Sequence, residues 1–183
     1  FTLSDTALKA GDTATVTLVF SEAVDSFSSA ADITVASGSG SLANMTSADN
    51  VTWAGTFTPT ANTEDDNNTL SLATSYTDTA GNTGPAATTL NYVVDTTAPS
   101  VSSFTLSDTA LITGDNATVT LVFSEAVASF SSSADITVAN GTLAVMTSTD
   151  NITWAGTFTP TANTEDDNNT LLLATSYTDT AGN

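Results

Sequence analysis

Three observations predict an all-β protein made of two tandem β-sandwich domains with about seven strands each. Apolar and polar residues alternate with a period of two over short stretches. Clusters of Gly, Asp, Asn and Ser separate those stretches at close intervals. The chain also repeats itself after about a hundred residues, close to the size of one small sandwich.

The repeat is nearly literal. Phe1–Gly38 aligns with Phe104–Gly141 at an offset of 103, with six differences. Leu42–Asn82 aligns with Leu143–Asn183 at an offset of 101, with four. The two lost residues fall in the Ser37–Ser41 turn, where a surface loop tolerates a length change. The domains are expected at 1–95, with its first strand partly missing, and at 96–183, with its last strand missing, joined around 95–100. Phe1 opens directly on repeat sequence, so the chain reads as a piece of something longer.

The strands follow in order. Val101–Leu106 is the first strand of a copy. Ala14, Val16, Leu18 and Phe20 alternate with Thr15, Thr17 and Val19 to make the second. Ile33 and Val35 begin the third, and Ser41–Ser47 is a weaker fourth. Val51, Trp53, Gly55 and Phe57 share one face of the fifth. Leu70, Leu72, Thr74 and Tyr76 give the sixth, and Thr88, Leu90, Tyr92 and Val94 the seventh. No segment carries a useful helical period. Seven short strands in about 100 residues indicate an immunoglobulin-like sandwich.

With successive strands antiparallel, an odd count puts the incoming and outgoing ends of each domain at opposite poles, so such domains string into a rod. Loops Ser21–Asp32, Asp49-Asn50 and Asp78–Pro85 then gather at the incoming end. Loops Asp5–Asp12, the Gly38 turn and Ala61–Asn68 gather at the outgoing end, where Asp95 leaves the last strand.

Composition decides which chemistry those loops can carry. Twenty acidic residues face one basic residue, Lys9, for a net charge of −19; there is no His, Arg or Cys. Nucleophilic triads and thiolate or imidazole metal sites are excluded, as are disulfides. The charge argues against nucleic acid and anionic membranes, and no apolar run approaches a membrane span. A hydrophobic content of 40 % in strand-like alternation separates the chain from acidic disordered segments. At the joint, the topology converges Asp95 with Glu125 and Asp179 of the second domain, and Glu64–Asn68 lies on the same pole as Asp95. Crowded carboxylates need a cation, and all-oxygen donors suit Ca²⁺. Asp65 and Asp66 read equally well as ligands or as a solvated loop. Asp5, Asp12, Asp32 and Asp49 read as turn or strand-edge residues.

Other signals read as structural. Trp53 and Trp154 alternate in phase with core positions, so they pack inward rather than stack on sugars. The Thr13-Thr15-Thr17 row is an ordinary exposed strand face. Neighbouring Asp65 and Asp66 on a loop are poor evidence for paired catalytic carboxylates. The N-x-Ser/Thr patterns, such as that at Asn44, are expected by chance in so Thr- and Asn-rich a chain.

Four motifs carry a family resemblance over nearly the whole chain: Thr17–Val24 (TLVFSEAV), Trp53–Thr60 (WAGTFTPT), Tyr76–Asn82 (YTDTAGN) and Val94–Val101 (VDTTAPSV). In this order they resemble the bacterial Ig-like repeats of giant secreted adhesins, of RTX-type and biofilm-associated kinds. The resemblance implies extender stalks on a bacterial cell surface, stiffened by Ca²⁺ at domain junctions. It implies ligands at Glu22 and Glu125 (the FSE motif), Asp78 and Asp179 (YTDxAGN) and Asp95 (VDTxAP). Glu22 and Asp78 have no preceding linker Asp here.

The expected function is a non-catalytic, extracellular spacer whose partners are neighbouring Ig-like repeats. Two alternatives are a fibre subunit completed by strand exchange with other copies, and a carbohydrate-binding module.

Overall fold

The chain is described over residues 1–183 by a computed structural model, in which it divides into two units, Phe1–Thr97 and Ala98–Asn183. The first runs β1 (Thr2–Leu3), β2 (Ala7–Leu8), β3 (Ala14–Val19), one helical turn α1 (Ser29–Asp32), β4 (Ile33–Val35), β5 (Gly40–Leu42), β6 (Thr52–Pro59), β7 (Glu64–Asn68), β8 (Leu70–Leu72), β9 (Ala87–Thr88) and β10 (Tyr92–Asp95). These make three sheets, β1-β3-β6-β5, β4-β8-β9 and β2-β10-β7. The alternation in β3 and β6 works as the period requires: Ala14, Val16, Leu18 and Phe57 are buried while Thr15 and Thr56 are not.

All three sheets feed one core. Val16, Leu18 and Phe57 meet Ile33, Leu70 and Leu72 of the second sheet and Leu8, Tyr92 and Val94 of the third. Burying each such side chain contributes about 1.5–3 kcal/mol. Phe57 and Tyr92 pack edge to face with centroids 5.2 Å apart, and the Tyr92 hydroxyl shares a 2.9 Å hydrogen bond with Ser39. Gly40 makes room for this pair, since a Cβ there would lie 2.3 Å from the Phe57 ring.

The second unit repeats most of the pattern with β11 (Val101–Leu106), β12 (Ala117–Phe123), α2 (Ser132–Asp135), β13 (Ile136–Val138), β14 (Gly141–Leu143), β15 (Thr153–Pro160) and β16 (Leu171–Leu173). Its sheets are β11-β12-β15-β14 and β13-β16. Its core gathers Val119, Leu121, Phe123, Val127, Phe130, Ile136, Met146 and Phe158.

The architecture is the expected all-β, immunoglobulin-like sandwich in each unit, but several boundaries move. Ala61–Asn68 is not all loop: Glu64–Asn68 is a strand antiparallel to β10. Five polar residues have little strand propensity, yet pairing with a buried neighbour overrides it. As an edge strand, its exposed Glu64 and Asp66 also discourage further pairing. The expected loop Asp5–Asp12 contains β2, which pairs parallel to β10. The seventh strand is broken into β9 and β10 around Leu90, which is 85 % exposed. Side chains replace the ladder there: Asn91 accepts from the Asn68 amide and donates to the Asp66 carbonyl, and the Thr89 hydroxyl accepts from the Leu70 amide.

The Ser21–Asp32 loop contains the α1 turn. Asp32 is buried rather than a strand-edge residue, and its carboxylate accepts from the Ser28 amide at 2.7 Å and from the Ser75 hydroxyl. The turn places Ser29 to accept from the buried Met45 amide at 2.9 Å. Asp135, Ser131 and Ser176 repeat the device in the second unit.

Strand parity sorts the loops correctly within each unit. At the incoming end of the first, Val24 bridges Asp78 and donates to the Asn50 carbonyl. In the second, Val127 does the same with Asp179 and Asn151. At the outgoing end of the first unit, the Thr60 amide reaches Ser39, the Thr96 amide reaches Thr63 and the Val93 amide reaches Thr6.

Candidate metal centre

The motif Asp-Thr-Ala-Gly-Asn builds the same loop twice. In the second unit, Asp179 Oδ1 accepts from the amides of Gly182 (2.6 Å) and Asn183 (2.9 Å), and Oδ2 accepts from the Asn183 side-chain amide (2.8 Å). Gly182 has φ 93°, a left-handed conformation that Gly adopts without a Cβ penalty. Asp179 is only 1 % exposed. Burial pushes its carboxyl up, but Asn183 and the loop amides together more than offset this, so it lies below the ordinary carboxylate value. It is therefore an anion at neutral pH.

Glu125 reaches this anion from the other side of the incoming end. It follows Ser124 directly after β12, and Ser124 is anchored by exchanging hydrogen bonds with Ser100: its amide donates to the Ser100 carbonyl (2.8 Å), and its hydroxyl accepts from the Ser100 amide (2.9 Å). The half-buried Glu125 brings a carboxylate oxygen within 4.8 Å of one on Asp179. Two carboxylates this close repel each other unless a cation or proton lies between them.

The first unit carries the counterparts. Asp78 accepts from the Ala80 amide (2.8 Å), the Asn82 amide (2.8 Å) and the Asn82 side chain (2.7 Å). The Asn82 side chain leads the interactions that hold the Asp78 carboxyl below its ordinary value. Glu22 is exposed, and both residues line a hollow of about 410 Å³ with Phe1, Phe20 and Gly84.

The remaining candidates lie at the opposite pole of the first unit. Asp95 ends β10, is half-buried and accepts from the Thr97 amide at 3.3 Å. Its cross-strand partner is Glu64, while Asp65 faces Val94. Asp65 is half-buried and accepts from the Asn67 amide at 2.9 Å, and Asp66 is exposed. Asp65 and Asp66 thus share a pole with Asp95, and neither is near Glu22 or Asp78.

Some residues that shape these ends escape a reading of the sequence. Thr96 is buried, with its hydroxyl donating to the Thr60 carbonyl at 2.7 Å and accepting from the Thr63 amide at 3.0 Å. Tyr76 donates to the Pro85 carbonyl at 2.8 Å, closing the loop after Asp78. The expected role of the tryptophans is seen: Trp53 and Trp154 pack on Phe27 and Phe130, each with centroids 4.9 Å apart. Asp49 closes its turn by accepting from the Val51 and Thr52 amides.

The donor set is suited to a hard cation. The clustered side chains offer carboxylate oxygens, and the chain has no His or Cys to supply a softer donor.

A family model described as Bacterial Ig-like domain matches residues 1–94 and again 95–183. The chain belongs to the bacterial Ig-like domain family. Members are generally non-catalytic and typically occur in extracellular or surface proteins. Searches of curated proteins and of solved structures returned no match. No helix of this bacterial Ig-like pair is long and apolar enough to cross a membrane.

Proposed function

We propose that these bacterial Ig-like repeats are a non-catalytic spacer of a surface or secreted adhesin, stiffened by Ca²⁺ at the junction between repeats. The observation that carries the reading is the approach of Glu125 to the buried, anionic Asp179 within 4.8 Å. Asp95 would supply a third carboxylate from the chain that links the units. The five-residue path from Asp95 to Ser100 reaches at most about 18 Å, and Ser100 is hydrogen-bonded to Ser124, beside Glu125. Backbone carbonyls and water would complete the six to eight oxygens that Ca²⁺ takes. Pro99 restricts the linker, because its ring fixes φ and pushes Ala98 toward extended geometry.

Stalk function follows from this arrangement. Without the ion, the net charge of −19 favours an expanded, self-repelling chain; with it, the linker is tied to the next repeat. Small-angle scattering in EGTA and in millimolar Ca²⁺ tests the proposal. A longer, more uniform particle in Ca²⁺ is expected, and superimposable profiles would refute it.

A further inference from the structure

The charged side chains are twenty acids and one base, Lys9, and the fold seats that base beside the acid that ends β10. Strand β2 runs parallel to β10, with Ala7 opposite Val93 and Leu8 opposite Val94. One residue further in the same register, Lys9 comes level with Asp95. On the other flank of β10, Glu64 stands opposite Asp95. Leu8 and Val94 are buried, so alternation turns Lys9 and Asp95 to the opposite face, and both are half-buried. Neighbouring strands lie about 4.8 Å apart. An ammonium on a flexible four-carbon stem therefore reaches the surroundings of the Asp95 carboxylate from its own strand end.

The two repeats differ at this position and yet build the same turn. In the first unit the Lys9 amide donates to Asp12 Oδ2 (3.2 Å), and the Asp12 amide donates to the Lys9 carbonyl (3.1 Å). In the second unit Ile112 and Asp115 repeat both bonds, each at 3.1 Å. These bonds use only the main chain of the first residue, so the Lys9 ammonium has no part in them.

We propose that Lys9 regulates the calcium junction, holding the Ca²⁺ affinity at Asp95 below what the acids alone would give. The proposal rests on the reading of Asp95 as a calcium ligand. Without the ion, the ammonium partly offsets the negative potential that Asp95 and Glu64 create together. An arriving Ca²⁺ must then bind against a positive charge one strand away, and a divalent ion feels that repulsion twice as strongly as a monovalent one. The junction therefore stiffens only at a higher Ca²⁺ concentration than the same acids would need beside a neutral residue. Ile112 shows that this turn accommodates a neutral residue, so a single side chain carries the setting.

Calcium titration of the full 183-residue chain, of Lys9→Ile and of Lys9→Arg tests the proposal, in about 10 mM and about 1 M NaCl. At low salt, Lys9→Ile should bind Ca²⁺ about threefold more tightly than the parent or better, and Lys9→Arg, which keeps the charge, should match the parent. At high salt the Debye length falls to about 3 Å and the gap should close. Equal or weaker binding by Lys9→Ile at low salt would overturn the proposal. So would tighter binding that persists unchanged at high salt, because packing rather than charge would then be its cause. Asp95→Ala in the same titration keeps the two readings apart. If it weakens binding while Lys9→Ile matches the parent, Asp95 remains a ligand and Lys9 has no regulatory role. If it binds as the parent does, the calcium reading fails and the role of Lys9 fails with it.

Discussion

Asp95 and Glu64 stand directly opposite each other on the antiparallel pair β10–β7. Cross-strand partners share a face, and like charges placed so are destabilising. Strand register thus holds two acids side by side at the outgoing end of the first unit.

Asp95→Asn separates the two consequences of that register. In EGTA the variant should be more stable than the parent chain by about 0.2–1 kcal/mol, because one like-charge contact is removed. In Ca²⁺ it should lose most of the ion-dependent gain in melting temperature. Calorimetry in the two buffers checks both signs.

Asp179→Ala should cost more than its charge. It removes the acceptor for three donors from Gly182 and Asn183, and each hydrogen bond lost from such partly exposed groups costs about 0.5–1.5 kcal/mol. Asp179→Asn keeps one acceptor oxygen and should recover part of the stability without recovering Ca²⁺ binding. Chemical denaturation beside a calcium titration distinguishes the two.

Acid should weaken both loops. Asp78 and Asp179 have carboxyls held below the ordinary value of 3.8 in the folded chain. A depressed folded value means a stabilising contribution that is complete above the unfolded value and lost as pH falls through the folded one. These loops should hold unchanged from neutrality to about pH 5 and open only below about pH 4. Amide exchange at Ala80–Asn82 and Ala181–Asn183 across that range reads the effect.

Phe57→Ala should destabilise the first unit by about 3–5 kcal/mol, since it removes the ring under Tyr92 from a fully buried position. The second unit should melt as before. A calorimetric trace in which both transitions shift equally would show that the cores are not independent.

The sequence made the sandwich legible because period-two alternation in Ala14–Val19 and Val51–Thr58 and the Asx and Gly turns carry direct physical meaning. It also placed Glu125 and Asp179 at one end of a domain, since that follows from strand parity alone. Glu64–Asn68 was opaque as a strand, because its pairing depends on β10, far along the chain, and not on its own polar residues. The α1 turn is too short to show a period, so the burial of Asp32 could not be seen. The break at Leu90 arises from Asn91 and Thr89 side chains that compete with the ladder, which composition does not reveal.

Calcium titration calorimetry of the parent chain, Asp95→Ala and Glu125→Gln bears most directly on the central claim. Saturable Ca²⁺ binding to the parent is predicted, with each variant weakened by about tenfold or more, which is about 1.4 kcal/mol per lost carboxylate. Identical isotherms for all three chains, or no binding by the parent at millimolar Ca²⁺, would contradict it.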